Sequence, residues 1–192
     1  MKIPAILSVM KKKKSLGICR IGTEEQYVTD GQAAYNISCL PFVSPEQLLS
    51  MMGIPEGKMS DYYIEFKPDL EKIITGGFSN GYTDQMIERS KICIMYMGGI
   101  YEPLEFSCGT VFVDCKFLKP FDGMEYDLYE RHSETDNTSI IAVKAGFLLL
   151  GLIIPTNISS EDLCKSLMVI TNSIKKECNY DQKFEQQSFD SD

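Results

Sequence analysis

The residue types best suited to covalent chemistry cluster in one stretch, Gly77-Phe78-Ser79-Asn80-Gly81. This is the Gly-x-Ser-x-Gly pattern of a nucleophile elbow. Its glycines let a serine sit on a strained strand-to-helix turn with the hydroxyl exposed. Ser79 would need a base, and the chain has one histidine, His132. Asp114, Asp122 and Asp127 lie between the two, so the order nucleophile, acid, base is available. Against a small serine hydrolase, the apolar run before the serine is only Ile73-Ile74-Thr75, and no His-Gly-Gly-Gly oxyanion segment is present. The strand–helix alternation of such hydrolases is missing too. The five-residue pattern arises by chance in about one chain in fifteen of this length. A glycine-rich surface loop is the favoured reading, and a hydrolase using Ser79 and His132 is the alternative. The same loop is not a P-loop, because Tyr82 stands where the phosphate-binding lysine is required.

Other candidate groups point away from catalysis. His132 sits between Glu130-Arg131 and Ser133-Glu134, a polar context that predicts a solvent-exposed loop histidine. Glu24, Glu25, Asp61, Glu125 and Asp127 lack metal-loop or glycosidase spacing and are expected to be solvated. A single histidine excludes a multi-histidine metal site. The seven cysteines, at 19, 39, 93, 108, 115, 164 and 178, contain no Cys-x-x-Cys. They read as mostly buried, inert thiols of a reducing compartment, with one or two disulfides as the alternative. No metal and no cofactor is expected. Lys11, Lys12, Lys13 and Lys14 form the one basic cluster. Such a run is usually a solvated helix end; facing phosphate, it would give salt-sensitive, sequence-independent DNA contact.

The elements that must position these groups follow from periodicity and turn chemistry. A first helix is expected over Pro4–Lys13, with Ile6, Leu7 and Met10 inward, then strands at Ser15–Gly22, Gln26–Asp30 and Ala33–Ser38. Ser44-Pro45-Glu46-Gln47 opens a second helix with a capping box, and Gly53 ends it. Tyr62–Lys67 alternates as a strand, Pro68–Thr75 forms a helical turn or two, and Thr83–Ser90 is ambiguous. Lys91–Met97, Tyr101–Cys108 and Thr110–Asp114 continue the β pattern, and Cys115–Phe121 reads as a short helix. Tyr126–Arg131, Ser139–Lys144 and Phe147–Ile154 give the last strands. Leu163, Leu167, Ile170 and Ile174 then recur at helical spacing, placing a helix over 160–177. The residues 179–192 form an acidic tail expected to be disordered.

The 192 residues allow one domain or two small ones. Lobes at 1–88 and 89–178 share a grammar of one short helix near hairpin-connected strands. The net charge of −8 excludes a protein held on nucleic acid by bulk charge. The most apolar run, Ala145–Ile154, is too short to span a membrane. The lysines follow the N-terminal apolar stretch, the reverse of a signal peptide, so a cytoplasmic protein is expected and the sequons at Asn36, Asn137 and Asn157 carry no meaning.

Two segments resemble the bacterial DNA polymerase sliding clamp (the β subunit). Tyr27-Val28-Thr29-Asp30-Gly31-Gln32-Ala33-Ala34-Tyr35 is similar to a strand, Thr-Asp-Gly turn and returning strand of the clamp's middle domain. Val111-Phe112-Val113-Asp114-Cys115-Lys116-Phe117-Leu118, continuing through Ile140–Val143 and Phe147–Leu150 to Ile153-Ile154-Pro155-Thr156-Asn157-Ile158, is similar to its last domain. In that family both segments border a hydrophobic pocket for short peptides, and no chemistry is involved. The resemblance implies a pocket rim of Thr29, Gly31, Gln32, Ala33, Ile154, Pro155, Thr156 and Asn157.

The expectation is therefore an α+β protein of two β-rich antiparallel, clamp-like lobes, each with a short helix, plus a C-terminal helix. Its expected function is non-catalytic binding or assembly: a DNA-associated protein-docking platform with protein or peptide partners, forming homo-oligomers and leaving membranes alone. The other reading besides the hydrolase is a phage or mobile-element protein-interaction module without DNA binding.

Overall fold

A computed structural model describes residues 1–76, 82–89, 92–133, 138–156 and 158. Residues 1–156 form one compact unit, to which everything below belongs. The expected helix over 160–177 and the tail over 179–192 lie outside the described residues, as do Ser79 and Asn157.

The protein is α+β and dominated by strands. Helix α1 (Ile3–Met10) opens with a proline in its first turn, where a missing N–H costs nothing, and buries Ile6, Val9 and Met10. Strands β1 (Ser15–Ile21), β2 (Glu25–Thr29) and β3 (Ala33–Asn36) form an antiparallel meander. Helix α2 (Pro45–Met51) carries the expected capping box. Ser44 Oγ accepts from the Gln47 N–H at 3.2 Å, and Gln47 Oε1 accepts from the Ser44 N–H at 2.8 Å. Strand β4 (Tyr63–Phe66) returns parallel to β1, and α3 (Leu70–Thr75) follows.

The ambiguous stretch resolves as strand β5 (Tyr82–Ile87). Strands β6 (Ile94–Tyr96), β7 (Gly99–Phe106) and β8 (Gly109–Asp114) make a separate three-stranded antiparallel sheet. In place of the short helix expected over 115–121 stand two 3-10 turns, Cys115–Phe117 and Lys119–Phe121. Pro120 has no N–H to continue an α-helical ladder. Strands β9 (Asp127–Ser133), β10 (Thr138–Ala145) and β11 (Leu148–Ile153) form a second meander.

Eight strands share the large sheet in the order β4-β1-β2-β3-β11-β10-β9-β5. Strands from both sides of the expected 88/89 boundary are thus hydrogen-bonded together: β3 pairs with β11, and β5 with β9. Successive residues of a strand face opposite ways, so the sheet has two cores. Ile18, Val28, Ile141 and Ile153 pack with α1, α2, the small sheet and the 3-10 turns. Their sequence neighbours Cys19, Tyr27, Ala142 and Leu152 pack on the other face with Ile74 of α3. Tyr35 is fully buried in the larger core, its hydroxyl donating to Phe117 O at 3.0 Å.

The loop between β3 and α2 is held from inside by Gln26. Its Nε2 donates to Leu40 O at 2.9 Å and Pro41 O at 2.7 Å, while Oε1 accepts from the Val43 N–H at 3.0 Å. The residue is fully buried. One side chain thereby satisfies three backbone groups that no strand or helix serves.

Candidate docking pocket

The turn between β2 and β3 shows why its three residues are Thr, Asp and Gly. Thr29 Oγ1 accepts from the Gly31 N–H at 3.0 Å. Asp30 Oδ1 accepts from the N–H groups of Gln32 and Ala33 at 2.9 and 2.8 Å. Gly31 sits at φ +84°, a conformation that side-chain-bearing residues rarely adopt. The rigid turn leaves the Gln32 carbonyl free to accept from the Ile154 N–H at 2.8 Å, just past β11. Two segments about 120 positions apart are thereby joined.

Beside this joint, on the α3 face of the large sheet, lies a mostly apolar cavity of about 400 Å³. Such a volume falls in the range of ligand pockets. Thr29, Gly31, Gln32, Ala33 and Ile154 line it. Five of the eight rim residues named from sequence are therefore brought together. Pro155 follows without lining the cavity. Thr156 turns away to pair with Phe112, donating to its carbonyl at 2.7 Å and accepting at 3.2 Å.

The opposite wall had no local signal in the sequence. It consists of Leu70 and Ile73 of α3, with Gly17, Ala34 and Leu152 as floor. A Cβ on Gly17 would stand 2.7 Å from Lys67 Cγ and 2.8 Å from Thr29 Cγ2. Glycine at this position is what lets the lysine stem lie across β1. Ile154 is half exposed, so apolar surface faces solvent at the cavity mouth.

Lys13 and Lys67 also line the cavity, Lys67 paired with Glu65. All of Lys11, Lys12, Lys13 and Lys14 are exposed. They diverge after α1: Lys14 pairs with Asp61 at 3.5 Å, Lys13 turns to the cavity, and the Lys11 ammonium lies 4.0 Å from where a Gly53 Cβ would be.

His132 is a correction. It is not a solvated loop residue but lies within β9, paired with Thr83 and Ser139 and only partly exposed. Its Nδ1 is 2.9 Å from Ser139 Oγ, which donates to Glu130 Oε1 at 2.7 Å. An ionised carboxylate can only accept, so the hydroxyl proton belongs to Glu130 and Nδ1 must be the donor to Ser139. The serine thus separates the imidazole from the acid, the reverse of a nucleophile triad, in which the imidazole stands between them.

Glu130, with no signal in its local sequence, is 3% exposed. It also accepts from the Ser107 N–H at 2.7 Å and Ser107 Oγ at 2.8 Å, fastening the β7–β8 turn to β9. Burial pushes its pKa upward. The backbone and hydroxyl donors, together with the charge of His132, outweigh burial and hold it below the usual carboxylate value. On the opposite face of the sheet Arg131 is buried. It forks onto Asp84 of β5 with two bonds of 2.7 Å and caps α3 through the carbonyls of Ile73 and Ile74 at 2.7 and 2.9 Å.

The cysteines are the second correction. Cys19 is buried, but Cys39, Cys93 and Cys108 are exposed and Cys115 is half-buried. Among the described residues no group of three or more His, Cys, Asp or Glu side chains could hold a metal, and no helix is long and apolar enough to cross a membrane.

The chain matches no family model, no curated protein and no solved structure.

Proposed function

We propose that this chain is a non-catalytic docking protein with a clamp-like fold, whose cavity takes a short apolar peptide segment of a partner protein. One observation carries the reading. The turn 29–33 and the segment at Ile154, named from sequence as two borders of one pocket, are hydrogen-bonded to each other beside a mostly apolar cavity. Concavity, apolar walls and a few fixed polar groups suit recognition by burial. The lysines at 13 and 67 favour an acidic residue next to the apolar anchor.

Peptides selected from a random display library on the full chain test this directly. Enriched sequences are expected to share adjacent apolar residues and to lose at least tenfold in affinity, about 1.4 kcal/mol, on the Ile154→Glu variant. Ile154 is exposed, so the variant keeps the fold. Peptides that bind Ile154→Glu as tightly as the parent chain, or no enrichment at all, would overturn the proposal. The same reading includes a cytoplasmic location, homo-oligomers, and DNA contact through Lys11, Lys12, Lys13 and Lys14. Such contact is expected to weaken with salt in proportion to the phosphates neutralised. Binding that ignores salt, or its absence, removes DNA from the reading.

A further inference from the structure

Outside the cavity, one pair of reactive groups is close, accessible and without a role in docking. Cys93 lies in the segment leading into β6, and Cys115 opens the 3-10 turn after β8. They are 22 positions apart in sequence, yet their Sγ atoms are 3.8 Å apart. Cys93 is exposed and Cys115 half-buried, so a small oxidant can reach the pair from solvent. Cys39 and Cys108 are equally exposed, but neither has another described sulfur placed this way.

We propose that Cys93 and Cys115 form a vicinal dithiol that closes to an intramolecular disulfide on exchange with a low-molecular-weight disulfide such as oxidised glutathione. The order of steps follows from the surroundings. Burial, followed by the adjacent Cys93, pushes the Cys115 thiol up to about 12, so it does not supply the first thiolate. Cys93, open to solvent, loses its proton and attacks one sulfur of the oxidant. The oxidant's S–S bond breaks, one glutathione leaves as thiolate and takes up a proton, and a mixed disulfide remains on Cys93. Cys115 then gives its proton to solvent and attacks the Cys93 sulfur. The second glutathione leaves and is protonated in turn. Two protein thiols are oxidised and one small disulfide is reduced to two thiols, so electrons and protons balance. Ring closure is intramolecular, and the product is therefore favoured over mixed disulfides at isolated cysteines by effective concentration.

The bond would tie the entry of the edge strand β6 to the turn carrying Phe117, a core residue. The experiment is titration of the full, reduced chain with glutathione redox buffers, followed by alkylation and peptide mapping. A Cys93–Cys115 cross-link is expected, persisting to a reduced-to-oxidised ratio at least about tenfold higher than any mixed disulfide on Cys39 or Cys108. Cys115→Ser is expected to stop at glutathionylated Cys93, and Cys93→Ser to leave Cys115 unmodified. A cross-link elsewhere, mixed disulfides on Cys93 in the parent chain with no closure, or equal reduction ratios for all exposed cysteines would each overturn the proposal. So would a Cys93→Ser chain in which Cys115 reacts as fast as Cys39.

Discussion

Replacing Glu130 by glutamine isolates the contribution of one buried charge. The amide is nearly isosteric with the carboxylate, so packing is kept. The Ser107 N–H cannot rotate and will hold the amide oxygen, which puts the amide nitrogen against the hydroxyls of Ser107 and Ser139. Hydroxyls can turn and accept, so the amide N–H groups keep partners. What disappears is charge assistance in three bonds. Bonds to charged groups contribute about 1.5–3 kcal/mol and neutral ones about 0.5–1.5, a loss of roughly 1 kcal/mol per bond. Relief from burying a charge offsets part of it. The net expectation is a destabilisation of about 1–2 kcal/mol at pH 7, read as a urea midpoint lower by roughly 0.5–1 M with an unchanged slope. The pH dependence is the sharper test. A carboxyl held below its ordinary value contributes stability that is present above about pH 4.3 and is lost as pH falls through the lowered native value. The amide does not titrate, so the gap between parent and Glu130→Gln should close on acidification from pH 7 to below 4. A gap that stays constant with pH, or a glutamine variant as stable as the parent at pH 7, would refute the account of Glu130.

Three further outcomes follow from the same geometry. Arg131→Met leaves Asp84 with Lys144 as its ion-pair partner, at 2.5 Å, and strips the carbonyls of Ile73 and Ile74 of their donor, so a loss of about 2–4 kcal/mol is expected in equilibrium unfolding. Gln26→Leu keeps the volume but abandons three backbone groups of the 37–43 loop. It should cost about 2–4 kcal/mol and raise amide exchange at Val43 first, whereas a purely global effect would count against the loop-anchor role. Ser44→Ala removes one half of the capping box and should cost about 1 kcal/mol in the same unfolding measurement.

Much of the fold was legible because its signals are local. The capping box at Ser44 and Gln47 and the strands flanking Gly31 are written in four or five consecutive residues. The Thr-Asp-Gly turn was legible for the same reason, since each of its side chains bonds within three positions of itself. The misreadings share the opposite property. Glu130, Arg131 and His132 look like a solvated run, because charged residues are rarely buried unless paired. Their partners, Ser107, Asp84 and Ser139, come from three other strands or turns, up to 47 positions away. The far wall of the cavity was hidden likewise: nothing near Gly17 announces that Lys67 will lie across it. The exposed cysteines defeated a compositional rule, since cysteine's average burial says nothing of a particular site.

The pairing of β3 with β11 also has a consequence for how the chain comes to be folded. The meanders β1–β2–β3 and β9–β10–β11 close through short turns and can form as each emerges from the ribosome. The seam between them rests on three residue pairs, Tyr35 with Gly151, Ala34 with Leu152 and Ala33 with Ile153. It is a contact of very long sequence separation and must wait for β11 to be synthesised. Until then the edge of β3 is an open row of backbone donors and acceptors, a site for chaperones or for misassembly. The bond from Ile154 to Gln32 lies at the end of this seam. The cavity lined by Gln32 and Ile154 therefore cannot be complete before β11 and the residue that follows it have been made.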